Sequence, residues 1–235
     1  MRRPAGIIFD MGDTVLRCAS RDFLRGNRRH LEFAVHNPGV TPEEIQSVAD
    51  ELFSWIDKAR DESMIEFPSQ SFQRLLYEIL DISFTIDAAI LEREFWNAAY
   101  TYVPVEGIYD VLDILDARGI KTGVLSNSIY SGAVLTEELW KHDLARRFGF
   151  LVSSADYGIR KPHELIFKAA LKKIGLDPRD VWFVGDKIEY DICGAANAGL
   201  FPVWFNGNNE SAALPGDCLE VKSWHEFRER LEQLL

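Results

Sequence analysis

The stretch AGIIFDMGDT, residues 5–14, decides the fold. Its first half is a short, uniformly apolar run that ends on a carboxylate, Asp10, and passes into a polar turn through Gly12, Asp13 and Thr14. A run of this length reads as a strand buried on both faces, with its chemistry gathered at the carboxyl end. Similar runs recur at Ile120 with residues 123–125, at residues 150–152, 181–184 and 201–205, and more weakly at 219–221. Helical patterns lie between them, at residues 108–118, 135–148, 164–174 and 190–198, and Gly119, Gly175 and Gly199 close three of these. Strand and helix alternate, which predicts a parallel sheet in a three-layer, Rossmann-like α/β core.

Residues 17–103 break this rhythm, with helical patterns and no convincing strand. The segment TPEE at residues 41–44 is a capping-box signature with Pro42 at the first helical position, and Val48, Leu52, Trp55, Ile56 and Ala59 then fall on one face. Residues 71–80 and 86–100 are further amphipathic candidates. The interval reads as an all-helical cap domain, 17–103, inserted into a core domain made of 1–16 and 104–235. The alternative is that these helices pack directly on the sheet. On the first reading, residues 16–19 and 102–107 are the hinges of a lid over the strand ends.

The chain has 235 residues, of which 47% are hydrophobic and 27% charged, the balance of a globular protein with room for a core and an appended module. A formal charge of -11 argues against nucleic acid, which is held through clusters of Lys and Arg. It does not argue against a phosphate ester, because a metal ion and one or two lysines set the local field. The odd set Cys18, Cys193 and Cys218 suggests neither a disulfide framework nor a thiolate zinc site. No segment is apolar for long enough to be a signal core or a membrane span, so the expected compartment is the cytoplasm, with no membrane partner.

Ligands of open parallel sheets bind outside the carboxyl ends of the strands. Polar groups stand at four such places: Asp10 to Thr14, Ser126 with Asn127, Arg160-Lys161-Pro162, and Gly185-Asp186 followed by Asp191. A lone Asp after a strand is more often a turn or capping residue. In this order, however, FDMGDTVL (9–16), GVLSNS (123–128), GIRKPHELIF (158–167) and FVGDKIEYDICGAANAGL (183–200) resemble the four motifs of the haloacid dehalogenase superfamily. The position of the insert resembles its subfamily I, whose helical cap follows the first motif.

The resemblance implies that Asp10 is the nucleophile, and a carboxylate can indeed attack phosphorus to give an aspartyl phosphate that water later opens. Two facing carboxylates, Asp10 and Asp186, call for a cation between them, and magnesium suits hard oxygen ligands and a phosphate. In the family the carbonyl two residues after the nucleophile, here that of Gly12, completes the protein ligands. Asp191 is expected to act through a bound water or by supporting a ligand. The hydroxyl of Ser126 and the backbone amide of Asn127 suit a phosphoryl oxygen, and Lys161 offers a mobile point charge to phosphate and Asp10. Pro162 is expected to open the following helix. Trp55 and Trp96 could line a substrate face. His30, His36, His142, His163 and His225 show no ligand spacing and are expected at the surface or in caps.

One position departs from the family pattern. Phosphatases of the superfamily carry a second Asp two residues after the nucleophile, as acid and base, and this chain has Gly12 there. Asp13, whose residue type tolerates left-handed backbone, is the possible substitute acid. Three readings stay open: a magnesium-dependent phosphatase of a small phosphorylated metabolite, slowed by the missing second Asp; a catalytically silent scaffold that binds magnesium and a phosphorylated ligand or partner; and a 2-haloacid dehalogenase, which the presence of Asp186 and Asp191 disfavours.

Overall fold

The computed structural model describes residues 2–234. In chain order its strands are β1 (Gly6–Phe9), β2 (Leu16–Arg21), β3 (Ala34–His36), β4 (Ser83–Phe84), β5 (Tyr100–Pro104), β6 (Lys121–Ser126), β7 (Leu151–Ser153), β8 (Val181–Gly185), β9 (Phe201–Phe205) and β10 (Leu219–Val221). Six of them form one sheet in the order β10-β9-β8-β1-β6-β7, every neighbour parallel. Parallel neighbours need long crossovers, and helices supply them on both faces.

The alternation within β1 builds the three layers. Ile7 and Phe9 join a core with Leu112, Leu139 and Trp224 from helices Ile108–Ala117, Gly132–Lys141 and Trp224–Glu232. Ile8 joins the opposite core, with Phe167 and Ala195 from helices Glu164–Ile174 and Cys193–Asn197. All three β1 side chains are fully buried, each worth about 1.5–3 kcal/mol. The expected 135–148 helix is two pieces: Gly132–Lys141, capped by Ser131, and a 3₁₀ turn, Ala145–Arg147, beyond Asp143 in left-handed backbone.

Register then brings the strand ends level. Phe9 pairs with Val124 of β6 and Val184 of β8, and the Asp10 N–H donates to the Val184 carbonyl at 2.8 Å. The chain leaves β1 for β6 and β7 on one side and later returns to β8 on the other. The crevice of this sheet therefore opens above β1.

The interval 17–103 is not purely helical. Helices Phe23–Leu31, Pro42–Ser63, Ser69–Ile79 and Ala88–Ala99 are joined by two antiparallel ribbons, β2 with β5 and β3 with β4. The first ribbon pairs the chain leaving the sheet with the chain returning, from Leu16 opposite Pro104 to Arg21 opposite Tyr100, so the expected hinge segments are hydrogen-bonded to one another. The helices bury a small core of their own around Ile45, Leu76, Tyr77 and Ile82. The capping box is formed, Glu44 N–H donating to Thr41 Oγ1 at 3.2 Å and Thr41 N–H to Glu44 Oε2 at 2.8 Å. Trp55 and Ala59 face solvent instead of the expected apolar stripe, because the buried line runs through Ile45, Ile56 and Arg60.

Buried carboxylates hold this module on the sheet. Glu66 accepts from Arg60 Nε at 2.6 Å and from Ser154 Oγ at 2.6 Å. Glu92 accepts from the backbone and hydroxyl of Ser131 at 2.9 and 2.7 Å. His30 is also buried here, against the expectation of a surface or capping role: Nε2–H donates to the Leu91 carbonyl at 2.7 Å, so Nδ1 accepts from Tyr77 Oη at 2.5 Å. Among the described residues no helix is long and apolar enough to cross a membrane.

Candidate active site

Three carboxylates and one ammonium meet at the carboxyl ends of β1 and β8. Asp10 follows β1 directly, Asp186 follows β8, and Asp191 returns from the first turn of the next helical segment. One oxygen from each lies within 4.8 Å of the others. Lys161 Nζ stands 2.6 Å from Asp10 Oδ1 and 2.6 Å from Asp191 Oδ1, with its side chain 1% exposed. It is thus a fixed, buried charge and not the mobile one expected.

Local backbone explains the convergence. The turn Ile188–Ile192 is π-helical, with the Ile192 N–H reaching back to the Lys187 carbonyl, and such one-turn widenings re-aim side chains. Asp191 Oδ2 accepts the Lys187 N–H at 2.9 Å. Gly185 is needed for this, since a Cβ there would occupy the place of the Asp191 carboxylate. On the other side, Asn127 clamps the Lys161 backbone: its Nδ2 donates to the Lys161 carbonyl at 2.9 Å and its Oδ1 accepts the Lys161 N–H at 2.7 Å. Pro162 lies before the next helix and does not open it. That helix starts at Glu164, with His163 as its cap, because the His163 ring accepts the Leu165 N–H at 3.2 Å.

Burial pushes the Asp10 carboxyl up to about 7; Lys161 opposes this and the charges of Asp191 and Asp186 add to it. Burial also raises Asp186, against the pull of Lys187, whose Nζ is 2.7 Å from Asp186 Oδ2. For Lys161 burial works downward, but the pairs with Asp10 and Asp191 outweigh it and hold the ammonium above its usual value. Three carboxylates against this fixed ammonium leave an excess of negative charge in a desolvated place. A hard cation among their oxygens would relieve it, so the donor set fits such an ion.

The cluster forms one wall of a cavity of about 270 Å³. Ser126, Asn127, Gly12 and Asp13 border it, as sequence reasoning expected, and Trp96 and Tyr102 enter from the inserted module with their rings stacked 5.1 Å apart. Trp55 does not reach it and is 73% exposed. Asp13 holds left-handed backbone, φ 54°, and Gly12 does not; a Cβ on Gly12 would meet nothing within 4 Å. Arg160, Lys187 and Tyr190 also line the cavity without having been assigned roles. For the first two the signal was adjacency to Lys161 and Asp186; for Tyr190 there was none. A larger space of about 750 Å³ opens alongside and shares Asp13 and Asp186, but it lacks Asp10, Lys161 and Asp191 and so lies outside the charged centre.

Comparison with known proteins agrees with this geometry. The chain is 29% identical over 232 residues to the pyrimidine 5'-nucleotidase YjjG of Escherichia coli (strain K12), covering 97% of this chain and 96% of that protein. It is 29% identical over 215 residues to a glyceraldehyde 3-phosphate phosphatase of Pyrococcus furiosus, covering 87% and 82% respectively. A crystal structure of a 2-haloacid dehalogenase from Pseudomonas syringae pv. Tomato DC3000 superposes over the whole of both chains with a TM-score of 0.68 at 20% identity, a likeness of fold. The family model described as haloacid dehalogenase-like hydrolase matches residues 4–199, and the chain belongs to that family.

Proposed function

We propose that this hydrolase is a phosphatase of small phosphate monoesters, with Asp10 as nucleophile. The observation that carries the reading is the convergence of Asp10, Asp186 and Asp191, two of them paired with one buried lysine, in the wall of the 270 Å³ cavity. The names of two relatives that align over most of their length, a nucleotidase and a phosphatase, support it.

In this reading Asp10, Asp186 and the Gly12 carbonyl would hold magnesium, and Asp191, with both oxygens already accepting hydrogen bonds, would support the site from behind. Bound there, the ion would neutralise phosphate oxygens. Lys161 pulls Asp10 toward its ionised form against the effect of burial and faces the incoming phosphoryl group, while Ser126 and the Asn127 amide receive its oxygens. A carboxylate oxygen of Asp10 bonds to phosphorus as the ester oxygen leaves with the bonding pair. Water then attacks the aspartyl phosphate, releasing inorganic phosphate and restoring the carboxylate. With Gly12 in place of an acid, the leaving oxygen takes its proton from solvent or from Asp13, so esters with good leaving groups react fastest.

Magnesium-dependent phosphate release from p-nitrophenyl phosphate, lost in Asp10→Asn, is the expected result. Gly12 specifically favours a second reading, a scaffold that binds magnesium and a phosphorylated ligand without turnover. Magnesium binding with no hydrolysis across a panel of activated and alkyl phosphates would select it over the first.

A further inference from the structure

The inserted module is fastened to the core at a second place besides the β2–β5 ribbon. Beyond helix Pro42–Ser63 the chain turns at Met64, in left-handed backbone, and pairs with the loop that leads to Lys161. Ile65 stands antiparallel to Ile159, the Glu66 N–H donates to the Gly158 carbonyl at 3.1 Å, and the Arg160 N–H donates to the Met64 carbonyl at 3.0 Å. Lys161 is the next residue. Slightly further on, the Ser69 N–H donates to the Ile129 carbonyl at 2.7 Å, so the same segment also follows the loop beyond β6 that carries Asn127.

Glu66 joins these two loops. Its side chain is 0% exposed, and Oε1 serves its own module, accepting Arg60 Nε at 2.6 Å and the Phe67 N–H at 3.1 Å. Oε2 reaches out of the module and accepts Ser154 Oγ at 2.6 Å. A hydroxyl has one proton, and a bond to a carboxylate is roughly twice as strong as one to a neutral acceptor. The proton therefore goes to Glu66 and not to the Ser128 carbonyl, 3.1 Å away. This orients the Ser154 oxygen to accept the Ser128 N–H at 2.8 Å. Ser128 directly follows Asn127, whose side chain clamps the Lys161 backbone.

We propose that Glu66 is a positioning residue for the phosphate site. Through its own N–H it holds the loop that carries Lys161, and through Ser154 it holds the loop that carries Ser126 and Asn127. The two sets of groups that face phosphoryl oxygens are thereby kept in register by a residue of the inserted module that does not itself line the cavity. The assignment of those groups rests on the phosphatase reading. The rival is a role in stability alone, with the loops unmoved when Glu66 is lost.

Ser154→Ala separates the two, because it leaves the Glu66–Arg60 pair and the backbone pairing intact and removes only the link to Ser128. Calorimetry of the full chain with inorganic phosphate in excess magnesium gives one readout, and steady-state hydrolysis of p-nitrophenyl phosphate, well below each variant's melting transition, gives another. Glu66→Ala and Ser154→Ala should each weaken phosphate about tenfold, the usual scale of one hydrogen bond. Each should also lower kcat by about 10–10², the scale of a misplacement of ~1 Å. Because both act on one path, the double variant should lose no more than Glu66→Ala alone. Ile45→Val, which loosens the module's own core away from this contact, should melt lower than wild type and keep both constants. The proposal is overturned if Ser154→Ala binds phosphate as wild type does, if the two losses multiply in the double variant, or if Ile45→Val loses as much. Wild type that binds phosphate but hydrolyses nothing would end the phosphatase reading and leave the positioning role to the phosphate titrations. Wild type that turns over, with Ser154→Ala unchanged, would do the reverse, and wild type that fails to bind phosphate with magnesium would overturn both.

Discussion

Gly12→Asp puts the proposed chemistry to its sharpest test. The Gly12 backbone is not left-handed and a Cβ there meets nothing within 4 Å, so a side chain can start from this position without strain or a clash at its first carbon. Replacing Gly also trims unfolded-state freedom, a gain of about 0.4–1 kcal/mol that offsets part of the repulsion from Asp10, Asp13 and Asp186. That repulsion favours the protonated form of the new carboxyl, the form a general acid needs. A placed acid and base is worth about 10²–10⁴ in rate, or about 3–5 kcal/mol of barrier. The gain should be unequal: large for an alkyl phosphate, whose leaving oxygen needs a proton, and small for p-nitrophenyl phosphate, which leaves without one. Steady-state phosphate release with magnesium, run beside Gly12→Asn as a control of equal size, measures it. If the alkyl ester gains nothing, or Asn matches Asp, the reasoning fails; loss of alkyl turnover in Asp13→Asn of the parent chain would show that position 13 already supplies the proton.

Lys161→Met leaves Asp10 and Asp191 buried without their shared partner and should cost about 3–5 kcal/mol in urea unfolding, partly restored by magnesium; a loss under about 1 kcal/mol would contradict the ion-pair geometry. Glu66→Ala removes one acceptor each from Arg60 and Ser154, which keep Asp57 and the Ser128 carbonyl, so unfolding should ease by about 1–3 kcal/mol, with faster hydrogen exchange over residues 64–69; unchanged exchange there would show the contact to be dispensable. Burial holds the His30 imidazole down at about 4, below its unfolded value of 6.5. Its contribution is therefore complete above about 6.5 and lost as pH falls toward 4, about 3 kcal/mol in all, and unfolding of wild type against His30→Gln at pH 7 and pH 4.5 should show the gap narrowing.

What the sequence made legible was whatever depends on local periodicity. β1, β8 and β9 are buried on both faces, so their apolar runs are continuous and easily seen. β2 is exposed over most of its length and β3 and β4 are only three and two residues long, so no alternation marks them, and β5 is divided in the sequence between the end of a helix at Tyr100 and a hinge from Tyr102. The site followed the same division. Asp10 and Asp186 were legible because they stand directly beyond β1 and β8, and Lys161 and Asp191 because they complete a familiar order of motifs. The Asn127 clamp on the Lys161 backbone spans 34 residues, and the burial of Lys161 itself depends on two carboxylates brought in from 151 and 30 residues away. His30 was misplaced for the same reason: its partners, Tyr77 and Leu91, lie in other helices, and nothing near it in the chain announces them.

The charge arrangement links the two ligands of the proposed reaction. Asp10, Asp186 and Asp191 against Lys161 and Lys187 leave one net negative charge in the cavity wall, in surroundings that already push two of the carboxylates toward their neutral forms. A phosphate dianion meets repulsion there, and a divalent cation meets attraction. The sign reverses only once such a cation is held, and the same event draws Asp10 back to the ionised form that attack requires. Lys161 alone cannot do this, because its charge is already shared between Asp10 and Asp191. Metal and phosphate should therefore bind with strong positive coupling: inorganic phosphate should associate weakly with the metal-free chain and much more tightly in the presence of magnesium, and by linkage phosphate should raise the affinity for the metal by the same factor.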